Sequence, residues 1–495
     1  MTPTQSIAQR SVTSVSWNVI GNIATVAIGF VRTVLLARWL PVEVFGVCAL
    51  AGSIIALSGV LANFGMGGAF LNRVPETEDE EMAAAVHFTL KSSFTLLWAA
   101  VLVAGALVFL DGQSRLALLV LAGAAAGTHL TQTPRLILAR RVIHRRLALI
   151  QLVDAVLSTL IALGLAYLGA GLWALLASSL VSTLLDIVFV YLWQPIWRPR
   201  LAWSPEIARY FLRFGRVNLL SGALAHALDR VDDLWTGVFL GEFLLGYYSR
   251  AYSFATYPRA ILAEPINLVA TGTYAELKGQ RVRLSEAFVF VNSFLIRSGF
   301  FLAALIALVA PEFIRIVLGE RWLPMLDAFR LMLVFTLFDP MKTTVANLFI
   351  AMGEPHRVVR VRSAQLAVLV AGLFLLGPWL GIAGVALAVD AMLIIGISVL
   401  LYKARDHVDF SVARLFAAPG LALTIGLLLA YKAGTSLWAA GNDWRSGAVK
   451  TVVFSAVYGI SLLGLEHRQL PKMVSAVARH IIPRAGTAPF DKKPE

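Results

Sequence analysis

Long apolar runs separated by short polar stretches repeat along the chain from its beginning to about residue 466. Each is long enough for a helix to cross a hydrocarbon core about 30 Å thick, which needs roughly 20 residues. Fourteen such spans are expected: about 14–38, 44–71, 83–110, 115–134, 147–168, 171–193, 214–241, 244–274, 284–310, 324–351, 360–380, 382–402, 411–432 and 446–465. Lipid offers the backbone no hydrogen-bonding partner, so the runs must be helices. An all-α polytopic membrane protein follows, its first span an uncleaved helix rather than a secretory signal.

Within some spans the polar residues fall on one face. "HALDRVDDLW" (226–235) carries one histidine, one arginine and three aspartates in a span too short to be split into two crossings. At 100° per residue, His226, Asp229, Asp232 and Asp233 share a face with Arg230 at its edge, while Leu224, Leu228, Val231, Leu234 and Trp235 cover the lipid side. In the first span Asn18, Asn22, Thr25, Gly29, Arg32 and Thr33 form a polar stripe opposite Phe30 and Val31. The eighth span sets Tyr247, Arg250, Tyr257 and Glu264 on one face, with Pro258 and Pro265 as kink sites. The tenth carries Asp339, Pro340 and Lys342.

Composition agrees with this reading: 58% of the residues are hydrophobic and 14% charged, with a mean hydropathy of +0.77. The net charge of +13 invites a nucleic-acid reading. The basic residues instead cluster in alternate loops, after spans four, six, eight, ten and twelve, as the positive-inside rule expects. That pattern places both termini in the cytoplasm and implies no nucleic-acid partner. The single cysteine, Cys48, excludes a disulfide framework or a thiol metal site, and no metal site is expected.

The chain also repeats at an offset of about 200 residues. Asn18 matches Asn218; Trp39-Leu40 with Gly46 matches Phe239-Leu240 with Gly246, both marking turns between spans; "GAGLWALLAS" (169–178) parallels "GIAGVALAVD" (381–390). Two six-helix lobes, 1–203 and 204–405, are expected around a central crevice, followed by two further helices (406–466) and a cytoplasmic tail (467–495).

Six stretches, "LLARWLPVEVFGVCAL" (35–50), "LANFGMGGAFLNR" (61–73), "RFGRVNLLSGAL" (213–224), "LGEFLLGYYSRAYSFATYP" (240–258), "LGERWLPMLDAFRLM" (318–332) and "LGIAGVALAVD" (380–390), resemble in order and spacing the Wzx-type polysaccharide or oligosaccharide-lipid flippases of the MOP exporter superfamily. The resemblance covers nearly the whole chain. It implies fourteen helices in a MATE-like arrangement, the inner membrane, and export of undecaprenyl-diphosphate-linked glycan by alternating access, for surface lipopolysaccharide or exopolysaccharide. A polymerase and glycosyltransferases are implied as partners beside the lipid-linked oligosaccharide and the bilayer.

A diphosphate crossing a membrane needs cations in a hydrated crevice. Arg32, Arg250, Lys91, Arg297 and Lys342 are the candidates, although Lys91 and Arg297 also fit cytoplasmic helix ends, Arg32 can snorkel, and Lys342 can simply pair with Asp339. Asn18, Asn22, His226, Asp229, Arg230, Asp232, Asp233, Glu264, Asp339 and Asp390 are candidates for the polar wall and for ion coupling, against the alternative of helix-to-helix contacts. His87 and His129 read as satisfied polar contacts. No cofactor is expected; a proton or sodium gradient, or the membrane potential, is left open as the driving force. Two rivals stand beside the flippase reading: a multidrug or small-cation antiporter of the same superfamily, and a membrane glycan polymerase or ligase. The short external loops speak against an enzyme, and no P-loop occurs for direct use of ATP.

Overall fold

The computed structural model describes residues 24–73, 80–141, 144–436 and 441–466, and contains no strand among them. Helix α1 occupies residues 24–39. It is followed by α2 (Val42–Asn63), the short α3 (Met66–Asn72), α4 (Glu80–Phe109), α5 (Gly112–Leu130), α6 (Gln132–Arg140), α7 (His144–Tyr167) and α8 (Trp173–Ile187). After these come α9 (Pro205–Phe239), α10 (Glu242–Glu276), α11 (Arg281–Phe313), α12 (Leu326–Ala351), α13 (Pro355–Ala404), α14 (Val412–Gly434) and α15 (Asp443–Leu465). Single π turns, Val188–Leu192 and Ile314–Leu318, extend α8 and α11.

Each of the fourteen expected spans is largely helical where it is described. Eight helices are long and apolar enough on their own to cross a membrane, nine if the bent pair α5 and α6 is one span. Helices α9, α10 and α12 fall outside that set because they carry the charges singled out in the sequence. Outward-facing Leu96, Val101, Val108, Leu375, Leu428 and Ile460 are exposed, as a lipid-facing surface requires.

Several boundaries differ from expectation, each for a local reason. The span expected over 44–71 is broken at Phe64 (φ 44) and Gly65 (φ 64), whose left-handed backbone separates α2 from α3. α6 departs from α5 by 41° and takes up part of the basic stretch after span four, so Arg135 and Arg140 lie on a helix rather than in a loop. Arg135 pairs with Asp186, and Arg140 lies 3.9 Å from Glu80. The two spans expected on either side of residue 381 are the arms of α13, which reverses at Gly381 (φ 58, ψ −139). Helix α10 runs through Pro258 and Pro265 without interruption.

The two aligned motifs do mark turns, at 40–41 and 240–241. Their glycines, Gly46 and Gly246, lie just past the first turns of α2 and α10, which begin at Val42 and Glu242. A Cβ on Gly46 would stand 1.7 Å from the Glu242 carbonyl oxygen, and one on Gly246 would stand 2.3 Å from the Val42 carbonyl oxygen. Glycine lowers helix propensity, so its place here is explained by close backbone approach. The same end is tied by hydrogen bonds. Arg38 Nε donates to the Val317 carbonyl at 2.7 Å, Trp322 Nε1 to Ala37 at 2.9 Å, and the Tyr247 hydroxyl to Arg321 at 2.9 Å. At its other end α2 meets α9, where a Cβ on Gly215 would stand 2.3 Å from the Phe64 carbonyl oxygen.

Helices α14 and α15 pack on each other and on α11. Two buried ion pairs fasten α15 there: Arg297 with Glu466 (2.5 Å), and Lys450 with Glu312.

Candidate functional site

Between α1, α2, α5 and α8 on one side and α9 and α10 on the other lies a cavity of about 1010 Å³. Its polar lining follows helical spacing. Helix α1 contributes Gly29, Arg32 and Thr33; α8 contributes Ser179, Ser182 and Thr183; α10 contributes Ser249, Arg250, Ser253, Thr256, Tyr257 and Arg259; α9 contributes Arg230 and Asp233. Each set recurs at three- and four-residue steps, so one face of each helix is wet while the remainder packs.

Arg32 donates to the hydroxyls of Ser158 (3.4 Å) and Ser178 (2.5 Å). Its neighbour Thr33 shares a hydrogen bond of 2.9 Å with the Tyr257 hydroxyl across the cavity. Arg250 rests over the Phe45 ring at 4.8 Å, and its Nε is buried without a hydrogen-bond partner. Arg230 donates to Asp233 Oδ2 at 3.1 Å, one turn along α9, which supplies the pairing the sequence left open. Arg259 pairs with Asp339 at 2.8 Å. Among the described residues, four arginines therefore line the cavity with one carboxylate, Asp233. Guanidinium forks of this kind suit an anion with several oxygens, because each can donate two parallel hydrogen bonds.

The other expected residues are distributed differently. Asp232 is buried and accepts a 2.5 Å hydrogen bond from the Tyr248 hydroxyl, facing α10 rather than the lining. Asp229 and His226 are exposed and lie outside the lining. Lys342 closes a trio around the buried Asp339 (2.6 Å) and, through it, Arg259. Asp390 is buried with Oδ1 unpartnered, away from the lining. Lys91 is enclosed at the end of α2, donating to the Ala62 carbonyl (3.2 Å) and the Asn63 side chain. Arg297 is committed to Glu466, so neither Lys91 nor Arg297 reaches the cavity. Buried His87 shares a 2.9 Å hydrogen bond with Thr133, and His129 packs edge-on against Trp98. Asn18 and Asn22, and the side chain of Glu264, lie outside the described residues.

Two residues expected to meet lipid do not, although Val31 and Val238 on the same faces are exposed. Phe30 packs against Tyr257 and Phe254, and Trp235 is buried against Phe239 and Phe374. Tyr247, expected beside Arg250, turns instead to Trp322. Arg259 and the α8 serines were not singled out from sequence, although the Ser179–Ser182–Thr183 and Ser249–Ser253–Thr256 stripes carried the signal. Among the described residues no group of three His, Cys, Asp or Glu side chains is placed to hold a metal ion.

Comparison with known proteins places this geometry in context. A family model described as "Polysaccharide biosynthesis protein" matches residues 35–327. The succinoglycan biosynthesis transport protein ExoT of Rhizobium meliloti (strain 1021) is 26% identical over 339 residues, 65% of each chain, so the match spans just under two thirds of that relative. The lipopolysaccharide biosynthesis protein WzxC of Escherichia coli (strain K12) is 21% identical over 353 residues, 70% of this chain and 71% of the relative. Among solved structures, the lipid II flippase MurJ in an inward closed conformation superposes with a TM-score of 0.75 at 14% identity, covering 91% of this chain and 99% of that one. An inward-facing MATE-family multidrug transporter of the MOP superfamily gives 0.61 at 16% identity, covering 78% and 98%. The fold is therefore that of MurJ and the MATE transporters.

Proposed function

The chain belongs to the polysaccharide biosynthesis protein family, and from that premise we propose that it flips polyprenyl-diphosphate-linked oligosaccharide across the cytoplasmic membrane by alternating access, for assembly of a surface polysaccharide. The observation that carries the reading is the lining of the cavity: among the described residues, four arginines and one carboxylate inside a bundle whose outer face is apolar. Moving a diphosphate of about two negative charges through hydrocarbon without counter-charge is prohibitive, and buried guanidiniums lower that barrier. Arg32 and Arg250 are the principal diphosphate contacts; Arg230 and Arg259 flank them. Lys342 acts through Asp339, and the carboxylates Asp229, Asp232, Asp339 and Asp390 are the groups available for proton or sodium coupling.

The chain divides into lobes 1–203 and 204–405 with α14 and α15 (406–466) appended. The matched glycine contacts at 46 and 246 support that division. The membrane is the inner membrane, with the arginine-rich loops and both termini cytoplasmic. The cargo arrives from glycosyltransferases on that side and passes to a polymerase on the other. A cation antiporter would need a lining of the opposite sign. The test is reconstitution: a polyprenyl-diphosphate oligosaccharide supplied to one leaflet of proteoliposomes becomes sensitive to a glycosidase confined to the other. Exposure no faster than in protein-free vesicles, with an ion gradient imposed, would defeat the proposal.

A further inference from the structure

Among the described residues, Arg32 and Arg250 have no carboxylate within ion-pair distance, Arg259 has its partner outside the lining, and Arg230 is held by the single carboxylate within it. That carboxylate, Asp233, is nearly inaccessible at 4% side-chain exposure, whereas the Arg230 side chain is 44% exposed to the cavity. A pair whose cation is this wet does little to hide the arginine. Meanwhile Asp233 Oδ1 is buried without a hydrogen-bond partner, an unfavourable arrangement for a group whose only task is to join helices.

We infer that Asp233 is a resident counter-ion of the transport cavity, holding Arg230 while the cavity is empty and competing with the diphosphate when it enters. The inference rests on the diphosphate reading above. The carboxylate is fixed to α9 and cannot leave, so an arriving polyanion shares the guanidiniums with it and is repelled by it in a medium that screens poorly. The empty state, where four like charges would otherwise repel, gains most from Asp233, and the loaded state gains least. A carrier needs this asymmetry, because a site that binds its cargo too well does not let it go. Asp233 is thus a positioning residue that sets how tightly the cargo is held.

The test measures binding of geranylgeranyl diphosphate to the full-length protein in lipid nanodiscs, with geranylgeraniol as the control lacking phosphate. It also measures the glycosidase-exposure rate in proteoliposomes. Asp233→Asn, isosteric and still able to accept from Arg230, is expected to bind the diphosphate at least about fivefold more tightly and to flip more slowly. Asp233→Glu restores wild-type affinity, and Asp233→Ser serves in place of the Asn variant if that protein is not recovered. A folded, monodisperse Asn or Ser variant that binds equally or more weakly overturns the inference, since a purely structural role predicts that direction. If the wild type does not discriminate the diphosphate from the alcohol, the diphosphate reading itself fails and this inference with it.

Discussion

Gly46 and Gly246 occupy positions 200 residues apart in the chain, and each rests on the carbonyl of the residue four places before the other, Gly46 on Glu242 and Gly246 on Val42. The contact is reciprocal, as at a two-fold axis relating two copies of one helix pair. Two carbonyls thus sit where side chains would otherwise be.

Gly46→Ala and Gly246→Ala are expected to force α2 and α10 apart. On helix propensity alone alanine is favoured by about 1 kcal/mol, so any loss of packing is attributable to the contact. Cys48, two residues on from Gly46, lines the cavity and is the only cysteine of the chain, which makes it a native probe. A membrane-impermeant maleimide should label it faster from the side of the α9–α10 turn in either variant than in the wild type; equal rates in folded protein would show that the contact is not a seal.

Among the described residues Arg32 is bonded only to hydroxyls and Arg250 rests on an aromatic ring, so removing them orphans no described carboxylate. Arg32→Ala with Arg250→Ala should leave thermal stability nearly unchanged while slowing glycan exposure by about a hundredfold, the loss of two charge-assisted contacts at roughly 1.5 kcal/mol each. Undiminished transport by the double variant would remove both from the anion site.

Arg297 and Glu466 form a bidentate pair buried between α11 and the end of α15. Arg297→Ala should lower stability by about 3–5 kcal/mol, because it leaves Glu466 as an unpaired buried charge, whereas replacing both by methionine should cost far less. Melting of the three proteins in detergent distinguishes these outcomes, and diphosphate affinity should follow none of them.

A clasp outside the membrane ties α13 to its own far end. His407 bonds Glu354 at 3.0 Å, and this bond holds the Glu354 carboxyl below its ordinary value of 4.5. Arg357 beside Asp406, and Arg281 beside Asp409, hold those carboxyls below 3.8. Depressed carboxyl values contribute stability that is complete above the unfolded-state values and lost as the pH falls through the folded ones. Unfolding temperature should therefore decline as the pH is lowered from about 6 to about 3, and less steeply in Glu354→Gln combined with Asp406→Asn. An identical slope would mean that the clasp is already open in solution. Asp406 and Asp409 are exposed and Glu354 half-buried, so the effect should also shrink with added salt.

Much of the architecture was legible because a membrane leaves a chain few choices: an apolar run of sufficient length becomes a helix, and a polar stripe along it becomes a wet face. Arg32, Arg250, Arg230 and Asp233 were found in this way. The same reasoning could not tell which buried charges meet each other. Lys91 and Arg297 carry the same charge as Arg32, but a helix terminus and Glu466 claim them, and nothing in local spacing connects residue 297 to residue 466. It also treated every apolar face as a lipid face. Trp235 and Phe30 show the limit, since in a bundle of this size protein and lipid are equally apolar neighbours. The motifs holding Gly46 and Gly246 were legible as a repeat that marks two turns, but the contact of each glycine with the other helix was not, because nothing local distinguishes a glycine of a turn from one of a close approach.

Helix α2 touches the helix pair α9–α10 at both of its ends, through Gly46 near its start and through Phe64 just past its finish. A rod of 22 residues is about 33 Å long, and pivoting it to relieve one end presses the other harder. The two faces of the bundle are consequently like the doors of an airlock on a common linkage: opening one tightens the other. On the flippase reading proposed above, a compartment sized for a bulky glycan would in this way cycle without becoming a pore through which ion gradients are lost.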